Sequence, residues 1–254
     1  MSKDLNRQEF GRHAEHYVDS KPHAKGASLQ WLLDQITPES DWRVMDIATG
    51  AGHTAFLFAD QVAAVLATDL TPQMLEQTAK LAAEKGISNL STAIADAEAL
   101  QFADNSFDLV TCRIAPHHFG NIPAFVRETF RVLKPGGLFG LVDNVMPGGA
   151  DGDYCNAFEK LRDPSHGRCL SMAEWHSELE GAGFTILREE TIRKPMEFAS
   201  WAKRHDETVK AELRRLLWEA PAGAAAYLAP AETDGNLTFK LTEGLFLAQK
   251  PETA

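Results

Sequence analysis

Three acidic residues stand where short apolar runs give way to turns, the positions from which a side chain reaches a ligand. The stretch Val44 to Gly52 reads V-M-D-I-A-T-G-A-G and carries Asp46, the run Val62 to Thr68 ends at Asp69, and Leu90 to Ala95 ends at Asp96. A carboxylate at a strand tip can accept charge-assisted hydrogen bonds from paired hydroxyls or from an amine. Gly50 and Gly52, one residue apart, let the backbone take positive φ and admit a ligand where a Cβ would clash. The helix expected over His53 to Asp60 adds unpaired N–H groups and a positive dipole end facing a small polar or anionic group. Further on, His117 and His118 close a fourth apolar run and titrate near neutrality, which suits taking a proton from a hydroxyl or an acidic carbon. Either histidine equally fits a buried, hydrogen-bonded role that holds its loop. Asp143, at the end of a fifth run, can contact an acceptor or orient a histidine.

The elements that must hold these residues alternate. Leu29, Leu32, Leu33 and Ile36 make one helical stripe, stopped by Pro38. Thr71-Pro72 supplies an N-cap and a first helical residue, and Gly86 closes that helix. Phe107 to Ala115 reads as the fourth strand, a helix follows through Phe125, Val126, Thr129, Phe130 and Leu133, and Pro135-Gly136-Gly137 turns the chain into a fifth strand, Leu138 to Val145. Alternation with right-handed crossovers predicts a doubly wound, mostly parallel α/β sheet, whose ligands sit at the carboxyl ends of the strands. Beyond Gly149 the spacing predicts a helix through Tyr154, Phe158 and Leu161, then a capping box at Ser171 and Glu174. A sixth strand over Phe184 to Arg193 and one long amphipathic helix from Phe198 to Leu217 come next. An Ala/Pro/Gly-rich stretch at 220–230 precedes a period-two strand from Leu237 to Leu247. The insertion between the last two strands is expected to cover an acceptor pocket, and residues 7–26 to form an N-terminal lid.

The 254 residues suffice for one α/β domain with additions, and 25 basic against 36 acidic residues give a net charge of −11. That balance repels phosphate backbones and anionic lipid, so neither nucleic acid nor membrane is an expected partner. Cys112, Cys155 and Cys169 show no pairing motif, and no run approaches a membrane span, so a reducing cytoplasm is the expected location. His13, His16 and His23 lack metal-ligand spacing, and no metal is expected.

Taken in order, V-M-D-I-A-T-G-A-G, A-T-D-L-T-P-Q-M-L, A-D-A-E-A-L-Q-F-A-D-N-S-F-D-L-V, H-H-F and R-V-L-K-P-G-G resemble the class I S-adenosylmethionine-dependent methyltransferases, in particular the ubiquinone/menaquinone-methyltransferase-like group that acts on small molecules. The resemblance spans residues 10 to 145 most closely. It implies a Rossmann-like, seven-stranded sheet with a reversed last strand and a helical cover, with residues 1–28 as lid, 29–146 as cofactor-binding core and about 150–235 as acceptor-side cover. It also implies S-adenosyl-L-methionine as cofactor. Asp69 would take the ribose hydroxyls, Asp96 the adenine amine and the Ala97 N–H the adenine ring. Leu70 and Met74 would supply apolar surface, and Asp46, Ala48, Thr49, Gly50 and Gly52 would face the methionine end. Arg113 is grouped with these cofactor contacts, and Tyr17 matches an aromatic residue that closes over the cofactor. His117, His118 and Asp143 are the residues placed for catalysis. Methyl transfer would then be an in-line displacement onto a small, uncharged or cationic acceptor, and a homodimer stays open.

Two other readings remain at this level. Gly50-x-Gly52-x-x-Ala55 with Asp69 about twenty residues on also fits a dinucleotide fingerprint, hence an NAD-dependent oxidoreductase, although that leaves Asp96-Ala97 and the reversed last strand unexplained. A cofactor-binding module without turnover is the other. Against the quinone C-methyltransferases the chain departs at His53 and at A-P-H-H-F after the fourth strand, so the resemblance does not extend to a quinone acceptor.

Overall fold

The structure is a computed structural model that describes residues 26–252 together with Lys3 and Arg7. Of the lid expected over residues 7–26, residues 8–25 lie outside the described residues, and Tyr17, His13, His16 and His23 are among them. The first described elements are α1 (Ala27–Gln35), β1 (Arg43–Ile47), α2 (His53–Ala59), β2 (Ala64–Asp69), α3 (Pro72–Glu84), β3 (Leu90–Ile94) and β4 (Phe107–Arg113). A short turn at Pro116–His118, α4 (Ile122–Val132) and β5 (Leu133–Asn144) complete the alternating half. The remainder comprises α5 (Gly149–Arg162), α6 (Met172–Gly181), β6 (Thr185–Glu197), α7 (Phe198–Trp201), α8 (Glu207–Trp218), α9 (Ala222–Leu228), β7 (Ala231–Thr233) and β8 (Asn236–Gln249).

The sheet order is β3-β2-β1-β4-β5-β8-β6, with β7 paired to β8. Strands β1 to β5 run parallel, while β8 is antiparallel to β5 and to β6. This is the expected doubly wound sheet with its reversed last strand, and the three-residue β7 is an eighth strand beside it. Alternation along the strands divides the core between two faces. Met45, Val110, Phe139 and Leu141 meet Phe125, Trp175 and Leu179 on one side, and Val44, Val65, Leu109 and Leu245 meet Leu32, Ile36 and Phe58 on the other. Both faces of the sheet are covered, as a parallel sheet requires.

Several elements differ from the sequence reading. The long helix expected over 198–217 is two helices, because Asp206 accepts a hydrogen bond from the Val209 N–H and caps a new start. The stretch 220–230 contains α9 rather than only coil. Strand β5 begins at Leu133, and Pro135-Gly136-Gly137 lies within it at a break in its pairing with β4. Both hydrogen bonds of the capping box at Ser171 and Glu174 are present. Helices α5, α7, α8 and α9 bury Phe158, Phe198, Leu213, Leu217 and Leu228 against one another and against Leu237, Phe239 and Leu241 of β8, forming a third apolar cluster. Among the described residues, no helix is long and apolar enough to cross a membrane.

Candidate active site

At the carboxyl ends of β1, β2, β3 and β4 a cleft encloses about 1120 Å³, counted out to its open mouth. Its lining includes Asp46, Ala48, Thr49, Gly50, Asp69, Leu70, Met74, Asp96, Ala97, Arg113 and His118. The three acidic strand ends thus share one cavity.

The glycine turn is built by the acids that flank it. Asp46, 1% exposed, accepts from the Thr49 hydroxyl at 2.6 Å and the Thr111 hydroxyl at 2.7 Å. Burial raises its pKa to about 6, and those hydroxyls pull in the opposite direction. Asp46 therefore pins the turn from behind. Asp69 accepts from the Gly50 N–H at 3.0 Å and from the Thr71 N–H at 2.9 Å, one bond to each oxygen. Burial raises its pKa as well, with the two backbone donors opposing. Gly50 has φ +56°, and a Cβ built there meets no atom within 4 Å. Gly52, at φ +85°, caps α2, and a Cβ there would lie 2.6 Å from Phe56 and 2.8 Å from Thr78. Gly52 is not among the lining residues; it lets the turn pack against its neighbours.

Across the cleft, Asp96 Oδ1 accepts from the Glu98 N–H at 3.0 Å, and Lys3 Nζ lies 2.5 Å from Asp96 Oδ2 and 2.9 Å from Glu98 Oε2. The other Glu98 oxygen accepts from the Gly120 and Asn121 N–H groups, which joins this corner to the turn carrying the histidines. Arg113 donates from Nε to the Thr54 hydroxyl at 3.3 Å, and burial lowers its pKa.

The two adjacent histidines face different ways. His118 lines the cleft and its Nδ1 lies 2.8 Å from the Ser165 carbonyl. His117 is not among the lining residues, and its Nδ1 lies 2.6 Å from Asp143 Oδ1, itself 1% exposed. Burial pushes His117 down to about 4 and His118 down to about 3, and lifts Asp143 to about 8. Desolvation thus holds both rings neutral and leaves a single shared proton between Asp143 and His117.

Sequence reasoning missed Thr71, Glu98, Ile114, Ala115, Phe119 and Gly120 as lining residues, together with Ser165 behind His118. The carbonyl of Ser165 has no side-chain signature. No described residue of the expected cover, 150–235, is among those lining the cleft, because the apolar faces of that region bury one another. Among the described residues no group of three or more histidine, cysteine, aspartate or glutamate side chains could hold a metal ion.

Comparison with known proteins decides the family. The family described as "Methyltransferase domain" matches residues 44–137. The uncharacterized methyltransferase YcgJ of Bacillus subtilis is 38% identical over 200 residues, which is 78% of this chain and 79% of that protein. The chain belongs to the class I S-adenosylmethionine-dependent methyltransferases. The methyltransferase's crystal-structure relative, YcgJ again, superposes with a TM-score of 0.82 over 89% of this chain and 98% of its own, at 32% identity. The ubiquinone/menaquinone biosynthesis C-methyltransferase UbiE of Dinoroseobacter shibae is 36% identical over 109 residues, 42% of this chain and 44% of that one. Haemonchus contortus phosphoethanolamine N-methyltransferase 2, solved with S-adenosyl-L-methionine, shares the fold with a TM-score of 0.63 at 19% identity, over 89% of this chain and 53% of its own.

The cofactor of this methyltransferase is S-adenosylmethionine, and the donor set of the cleft fits it. Carboxylates at strand tips can take a diol and an amine, a turn open at Gly50 admits close approach, and Arg113 can meet a carboxylate.

Proposed function

We propose that the enzyme transfers a methyl group to a small-molecule acceptor held beside the carboxyl end of β4. When bound, S-adenosylmethionine supplies a methyl group already activated by its sulfonium, so the chain's task is alignment and exclusion of water. Asp69 takes the ribose hydroxyls and Asp96 the adenine amine, with the Ala97 N–H toward the ring and Leu70 and Met74 against its faces. Ala48, Thr49 and Gly50 present backbone to the aminoacyl end, where Arg113 meets the carboxylate. Asp46 and Gly52 keep that turn in shape. His118 is the group placed to meet the acceptor, while His117 and Asp143 support it from behind. Residues 29–146 serve as the cofactor core and about 150–235 as its outer cover.

The observation that carries this reading is the convergence of Asp46, Asp69 and Asp96 on one cleft that also holds His118. A small acceptor, rather than nucleic acid, accords with the net charge of −11. The buried, unbonded Cys112, Cys155 and Cys169 accord with a reducing cytoplasm. The test is transfer of a radiolabelled methyl group from S-adenosylmethionine into a metabolite extract. Label in a small product supports the proposal. Thermal stabilisation by S-adenosylhomocysteine with no product in any extract would instead identify a binding module.

A further inference from the structure

The segment between α5 and α6 contributes a turn that sequence patterning gave no reason to place at the site. Asp163 Oδ1 accepts from the Ser165 N–H at 2.9 Å and from the Ser165 hydroxyl at 2.5 Å, closing a tight local loop. The Ser165 carbonyl then meets His118 Nδ1 at 2.8 Å, in a contact where both residues are buried. A carbonyl oxygen can only accept, so Nδ1 carries the hydrogen of the neutral ring and Nε2 carries the lone pair. The turn is itself anchored: the Gly167 N–H donates to the His117 carbonyl at 2.8 Å, and His166 Nε2 lies 2.9 Å from Asn156 Oδ1.

We propose that Asp163 and Ser165 are positioning residues that hold His118 in its Nδ1–H tautomer, making Nε2 the proton acceptor for a substrate whose methylated oxygen or nitrogen bears a hydrogen. This rests on the cleft being the methyl-transfer site. As the acceptor atom forms its bond to the methyl carbon, the carbon–sulfur bond breaks with its electron pair leaving on sulfur, and the acceptor's proton passes to Nε2. Charge balances: one positive charge leaves the sulfonium and one appears on the imidazole. The groups facing His118 suit that exchange. His117 on the same turn opposes a charged ring, whereas Asp163 from the loop and Asp143 from β5 favour one, and burial keeps the ring neutral until a proton arrives. A neutral ring beside a sulfonium avoids repulsion before transfer, and the Asp163 carboxylate, which stays ionised, stabilises the imidazolium after it.

Nitrogen NMR of the full chain labelled with 15N-histidine reads the tautomer without any acceptor. At pH 7 the His118 signals should show a protonated Nδ1 and an unprotonated Nε2; an Nε2–H tautomer or a cationic ring in the wild-type protein overturns the proposal. Asp163→Ala should mix the tautomers, and Asp163→Asn, which keeps an accepting oxygen, should restore the single form. An unchanged tautomer in the alanine variant removes Asp163 from the role. In the labelled extract, a methyl group on oxygen or nitrogen that had borne a hydrogen supports the acceptor class, and methylation of a thiolate or a tertiary amine overturns it. The predicted tautomer without label in any product would sink the methyl-transfer reading and leave the histidine geometry standing.

Discussion

Asp143 and His117 meet at 2.6 Å between Oδ1 and Nδ1, in a part of the core where Asp143 Oδ2 has no hydrogen-bond partner among the described residues. The pair sits one residue from His118, whose ring centroid is 4.1 Å from that of His117. The proton of this contact therefore lies behind His118, not in the cleft lining itself. Burial raises Asp143 to about 8, so the folded chain keeps from about pH 4 to 8 a proton that the unfolded chain releases. Stability from this group is present below the unfolded pKa and is lost as pH rises toward 8. His117, pushed down to about 4, acts in the opposite direction below pH 6.5 and not above it. Asp143→Asn should thus gain on the wild type in melting temperature from pH 6.5 to 8, measured by thermal unfolding across that range. Asp143→Ala, which strips the partner from a buried ring, should cost about 1–3 kcal/mol near pH 4, and less as pH rises toward 8, because it also lacks the titrating carboxyl.

Asp69 is the residue expected to decide cofactor affinity. With S-adenosylhomocysteine at about 100 times its Kd, the wild type should gain about 2.7 kcal/mol of stability. Asp69→Ala should abolish that melting shift, since both the diol acceptor and the clamp on the Gly50 and Thr71 N–H groups are gone. An undiminished shift would take Asp69 out of the site.

The two glycines of the turn should separate folding from binding. Gly52→Ala sets a Cβ against Phe56 and Thr78 at positive φ, and should cost about 1–3 kcal/mol of stability measured without ligand. Gly50→Ala meets open space, so its cost should stay near 1 kcal/mol. Its methyl group would enter the cleft, and calorimetry with S-adenosylhomocysteine should show weaker binding.

His166 offers a measure of acid sensitivity away from the cleft lining. Burial, which leaves only 2% of it exposed to solvent, pushes it down to about 3. Its contribution is fully present above pH 6.5 and is lost as pH falls toward 3, at up to about 1.4 kcal/mol per pH unit. His166→Gln, which keeps a donor for Asn156, should flatten the acid limb of a pH–stability curve; an unaltered limb would assign the loss to other groups.

Much of this was legible because the relevant signals are local and periodic. The apolar runs that end at Asp69 and Asp96 mark strand ends, and strand ends of a parallel sheet converge, so the cleft followed from alternation. The break near residue 202 did not show, because Trp201, Val209, Leu213 and Leu217 keep a helical spacing across it and only the Asp206 cap marks the restart. A usable signal did exist for β7. Asp234-Gly235 joins it to β8 with both residues at positive φ, the chemistry of a two-residue hairpin turn. The parting of His117 from His118 had no such mark. Neighbouring residues on a short turn are sent apart by tertiary partners, Asp143 for one and the Ser165 backbone for the other.

Strand β8 lies between β5 and β6, although both precede it in the chain. As the protein leaves the ribosome, β6 has no neighbour to pair with until residues 236–249 emerge. Until then the β5 edge and the whole of β6 stay open to foreign strands. Nascent chains stalled before Asn236 are therefore expected to be the aggregation-prone species, and holding chaperones would be needed most until residues 236–249 emerge.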